Sequence, residues 1–167
     1  MQLFRSLKCI EATNNGRAGF VLRASLLAIV PSLLVFGVLV ALGIDTLRAP
    51  IGALDPRFVA YSVLVAPVIE TAIMLALAAV LTRFFPNHVV AQIVLVTFVT
   101  ALAHRIGGGW YQVVATTWPI LVYATSLALW LRRSARDAFI LTTVVHALYN
   151  MAFFAVGILG PMAMGHS

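Results

Sequence analysis

Five stretches of this chain are apolar runs close to the length that crosses a lipid bilayer: Ala24 to Ile44, Phe58 to Leu81, Val89 to Ile106, Trp110 to Leu131, and Ala138 to Leu159. A hydrocarbon core about 30 Å thick needs roughly 20 helical residues. Within that core every backbone N–H and C=O must be satisfied by protein, so only helices and closed barrels span it. Long continuous runs, rather than ten-residue alternation, exclude the barrel. The expected fold is therefore all-α, a polytopic transmembrane helix bundle of about five spans in the lipid bilayer. Composition agrees: 62% of the 167 residues are hydrophobic and 10% charged, whereas roughly a quarter are charged in a soluble domain.

The runs are separated by short connections, Arg83-Phe84-Phe85-Pro86-Asn87, Gly107-Gly108-Gly109 and Arg132-Arg133-Ser134-Ala135-Arg136-Asp137. Neighbouring spans should therefore pack antiparallel. Ahead of them, Met1 to Gly19 places Leu3, Leu7 and Ile10 on one helical face with Arg5, Lys8 and Glu11 elsewhere, the pattern of a short helix in the membrane interface. It lacks the apolar core and small-residue cleavage site of a secretory signal. The expected organisation is an interfacial segment over 1–19, a first span with an outer loop over 20–57, a membrane core over 58–160 and a short tail over 161–167.

A net charge of +6 would point to nucleic acid in a soluble protein. Here the basic residues lie between apolar runs, where they report topology instead, and no nucleic-acid partner is expected. With the N-terminus in the cytoplasm, eight basic residues (Arg5, Lys8, Arg17, Arg23, Arg83, Arg132, Arg133, Arg136) fall inside and three (Arg48, Arg57, Arg105) outside. That asymmetry obeys the positive-inside rule. The single cysteine, Cys9, has no partner for a disulfide or a metal site.

Few ionisable residues lie inside the spans: Glu70 in the second, His104 and Arg105 in the third, and His146 in the fifth. Arg105, at a helix end, can snorkel to the interface. The other three are expensive in hydrocarbon and so read as functional. Counted from the cytoplasmic helix ends at 1.5 Å per residue, Glu70 lies roughly 17 Å deep, His104 roughly 22 Å and His146 roughly 12 Å. Depths within about 10 Å allow one shared site. Asn150 follows His146 by four residues and shares its helical face. Pro67, three residues before Glu70, removes a backbone donor and frees a carbonyl inside the helix. Pro31, Pro119 and Trp118 read as ordinary packing or interface residues.

A carboxylate facing an imidazole can share a water and take its proton. A second imidazole with a carboxamide one turn away can hydrogen-bond a developing oxyanion. Glu70 with His104, and His146 with Asn150, thus outline amide hydrolysis without a metal or other cofactor. Three segments carry a further signal: "APVIETAIML" with Glu70, "ALAHRIGGG" with His104 and "VVHALYNM" with His146 and Asn150. In their order and spacing they resemble the membrane-embedded glutamic proteases related to the CAAX prenyl proteases and the bacterial bacteriocin-processing and self-immunity proteins. The resemblance covers roughly Tyr61 to Phe154.

The resemblance implies an intramembrane protease of a bacterial plasma membrane acting on a membrane-associated or lipidated protein or peptide. It also implies the roles reached above: Glu70 and His104 activate water, while His146 and Asn150 form the oxyanion hole. The chain departs from the usual E-E-x-x-x-R motif, with Thr71 at the second glutamate and Leu75 at the arginine, and Thr100 replaces the usual aromatic four residues before His104. Alternatives from other classes are a haem protein with His104 and His146 as axial ligands, a zinc hydrolase using Glu70, His104 and His146, and a catalytically silent binding or immunity factor of the same family.

Overall fold

A computed structural model of the chain describes residues 16–42, 55–108 and 110–163. Arg5, Lys8, Cys9, Glu11 and Arg48, most of the expected interfacial segment, and the end of the tail lie outside the described residues. The described chain forms five helices, each long and apolar enough to cross a membrane. They are α1 (Gly16–Ala41), α2 (Pro56–Phe84), α3 (Val89–Gly108), α4 (Trp110–Leu131) and α5 (Ala135–Ala163). The architecture is an all-α membrane bundle, and the chain is that of an integral membrane protein.

Hydropathy marks hydrocarbon rather than helix, and two starts differ from the sequence reading accordingly. The first helix begins at Gly16, eight residues before the apolar run, so residues 16–19 belong to α1 rather than to a separate interfacial helix. The fifth begins at Ala135. The reason is visible at the ends: Arg17 donates to Asp137 Oδ2 at 2.7 Å, so the polar first turns of α1 and α5 satisfy one another. Asp137 also lies in the first turn of α5, where a carboxylate suits the helix dipole, and the Ser134 hydroxyl caps that turn by accepting from the Asp137 N–H at 3.2 Å. At the other end of the bundle, Asp55 caps α2 by accepting from the Arg57 N–H at 2.9 Å, with Pro56 in the first turn.

α4 is the centre. It packs against α1, α2, α3 and α5, and its middle, Pro119 through Leu127, is almost wholly buried. α1 packs on both α4 and α5, burying a face of small side chains at four-residue spacing, Ala24, Ala28 and Ser32, with Phe20 set edge-on against Trp130 of α4 at 5.3 Å. The opposite face of α1 presents Leu22, Leu26, Val30, Leu34 and Val38, all between 51% and 68% exposed. Such a stripe requires lipid, since a soluble monomer rarely exposes so large an apolar patch.

α2 is one continuous run with an interruption. Pro56–Ala60 is α-helical, Tyr61–Val65 forms a π turn, and the α-helix resumes at Ala66. In the π turn the Ala66 N–H donates to Tyr61 O, five residues back. This segment leads directly to Pro67 and Glu70.

Candidate active site

The four candidate residues come from three helices, and the fold brings all four to the wall of one small cavity. Glu70 projects from α2, His104 from α3, and His146 and Asn150 from α5; with Thr100, Thr116, Pro119, Tyr123 and Tyr149 they line a neck of about 40 Å³. That volume suits a water or two. Glu70 Oε2 stands 3.7 Å from His104 Nε2 and 3.7 Å from His146 Nε2. Both separations exceed a direct hydrogen bond, and a water beside the pair can bond both groups.

The depth difference of about 10 Å between the two histidines expected from helix counting is thus not present, since both reach one oxygen atom. Beginning α5 at Ala135 accounts for about 4.5 Å of it, and the histidine side chains span the rest. The same closeness bears on the haem reading. Two imidazoles facing one carboxylate oxygen across a neck of about 40 Å³ leave no room for a porphyrin between them. Among the described residues no group of three or more His, Cys, Asp or Glu side chains is placed to hold a metal ion.

Hydrogen bonds give the two imidazoles different faces. His104 Nδ1 lies 2.9 Å from Thr100 O. A carbonyl only accepts, so Nδ1 carries the proton, and in the neutral ring Nε2 turns a lone pair toward Glu70. A lone pair and a carboxylate at 3.7 Å repel unless a donor sits between them, and water, with two hydrogens, serves both. His146 is only 8% exposed in its side chain, and its Nδ1 is buried with no partner. Its one useful outlet is Nε2, where a proton faces the carboxylate. Tyr123 lies nearly flat on the His146 ring, with centroids 4.5 Å apart and planes at 26°, and so fixes the direction of that outlet.

Asn150 lines the neck, and one of its two amide hydrogens is engaged: Nδ2 donates to Ser62 O in the π turn of α2 at 2.8 Å. Thr71 is fully buried and does not line the neck.

Two larger clefts meet at the neck. One, of about 490 Å³, lies between α2 and α3 and opens sideways past Ile73 and Val99, 62% and 48% exposed, toward lipid. The other, of about 440 Å³, is walled by aromatic residues including Phe36, Tyr111 and Phe153. Both are in the range of ligand sites. Gln112 borders both. Sequence reasoning missed Gln112 and Tyr123: a carboxamide two residues into a span reads as an interface residue, and a tyrosine in an apolar run reads as packing.

Compared with protein-family models, curated proteins and solved structures, the chain matches none of them.

Proposed function

We propose that this chain is a metal-independent glutamic intramembrane endopeptidase that cleaves a membrane-associated protein or peptide. The observation that carries the reading is Glu70 Oε2, 3.7 Å from an imidazole nitrogen on either side, in a water-sized neck between two clefts. A water held there donates one hydrogen to Glu70 and the other toward the bare Nε2 of His104. Its oxygen adds to the substrate carbonyl carbon as Glu70 takes one proton, while the other hydrogen stays on the oxygen, hydrogen-bonded to His104 Nε2. His146 Nε2–H faces the same space and hydrogen-bonds the oxygen on which charge develops. Collapse breaks the C–N bond, and the proton passes to the departing amine, leaving a free carboxyl group and a free amino group.

The substrate class follows from the approach. A cleft that opens to lipid between α2 and α3 admits a segment already resident in the bilayer, and it excludes bulk water from the neck until the segment arrives. The asymmetry of basic residues supports an N-terminus in the cytoplasm of a bacterial plasma membrane, with the Arg132 to Arg136 turn on the same side. Labelling of a cysteine introduced in that turn from the external face would refute this orientation.

The test of the activity is a comparison of protein N-termini in membranes carrying wild type or Glu70→Gln. Products that depend on Glu70 support the protease. A partner captured equally by both proteins, with no product from either, would establish a silent binding factor instead.

A further inference from the structure

Ser62 is the residue whose carbonyl the π turn strands. In an α-helix its partner is the N–H of residue 66, but that N–H is already given to Tyr61 O. In π register its partner is residue 67, and Pro67 has no N–H. An orphan carbonyl within a membrane helix must be satisfied by protein, and Asn150 Nδ2 supplies the bond at 2.8 Å.

The same face of α5 meets α2 at three levels. His146 stands by Glu70, Asn150 by Ser62, and Phe154 lies edge-on to Phe58 at 5.9 Å. On α5 these residues are spaced by four, one line along the helix. On α2 the π turn lies between Phe58 and Glu70, and one extra residue rotates everything after it by about 100° relative to an unbroken α-helix. Glu70 has the lipid-exposed Ile69 and Ile73 beside it, so a rotation of that size decides whether the carboxylate faces the histidines or leaves the neck.

From this juxtaposition we infer that Asn150 is a positioning residue: its bond to Ser62 O locks the π turn, and the locked turn aims Glu70 at His104 and His146. The consequence for turnover rests on the protease reading; the lock itself does not.

Pro67 makes the inference testable, because Pro67→Ala restores an N–H in register with Ser62 O and so makes the Asn150 bond redundant. Four proteins are compared: wild type, Asn150→Ala, Pro67→Ala and the double variant. Backbone amide exchange over residues 61–66 should speed up in Asn150→Ala and return to the Pro67→Ala level in the double variant. Glu70-dependent processing should fall about ten- to a hundredfold in Asn150→Ala and likewise recover in the double variant. The loss should fall on turnover, with capture of uncleaved substrate by Glu70→Gln unaffected by adding Asn150→Ala. An equal loss from Asn150→Ala with either residue at position 67 would overturn the inference and make Asn150 an oxyanion donor. Unchanged exchange in Asn150→Ala would overturn the lock. If the wild type yields no Glu70-dependent product, the protease reading falls while the exchange measurement still decides the lock.

Discussion

Pro31 in α1 and Pro67 in α2 pose the same problem and receive different answers. Each deprives an upstream carbonyl of its N–H, and each freed carbonyl is taken by a side chain from another helix at 2.8 Å: Leu27 O by the Trp118 indole, Ser62 O by the Asn150 amide. At Pro31 the helix continues as α, and the donor is a large aromatic that does not line the neck, so the bond anchors α1 on α4. At Pro67 the helix takes a π turn, and the donor lines the neck four residues from His146. One device serves as a packing anchor at the first station and as a means of aiming a carboxylate at the second.

The sharpest test of that contrast acts on what the second station aims. Glu70→Gln retains size and hydrogen-bonding capacity but not the base, so processing should drop by about 10² or more while the protein folds and captures substrate as before. Unchanged processing would remove the reason for treating the second station differently from the first.

The next test exchanges the readouts. Trp118→Phe removes the donor to Leu27 O and should cost about 1 kcal/mol of stability, measured by denaturation in detergent, with processing little changed. Asn150→Ala removes an equivalent bond but should cost turnover. Equal effects of the two substitutions on processing would erase the distinction between anchor and aim.

A smaller effect is expected at the polar end of the bundle. Arg17 is 67% exposed in its side chain and pairs with a less exposed Asp137, so Arg17→Ala should lower stability by at most about 1 kcal/mol. Processing should not respond. Smallest of all is the response to metal: chelators should leave Glu70-dependent processing unaltered, and purified protein should contain neither stoichiometric zinc nor a Soret band. Loss of activity on chelation, restored by zinc, would convert the Glu70, His104 and His146 cluster into a ligand set.

Much of the site was legible because hydrocarbon penalises charge. Glu70, His104 and His146 stand out of their apolar runs without any structural knowledge, and Pro67 announced a free carbonyl nearby. Trp118, read as ordinary packing, also binds the carbonyl that Pro31 frees. That pairing was out of reach of the sequence, because a donor 91 positions away along the chain has no periodic relation to its acceptor.

The sequence by itself determined five membrane helices, the ionisable residues they carry and the one-turn spacing of His146 and Asn150, because hydrophobic length and the 3.6-residue period are properties of a single helix. Only the tertiary structure decided that two histidines address one oxygen of Glu70, that Asn150 is tied to Ser62, and that Tyr123 stacks on His146. Those facts depend on how far each helix is rotated and tilted against its neighbours. Rotation and tilt are set by side-chain packing between helices and by a one-residue π turn, neither of which leaves a periodic trace along the chain.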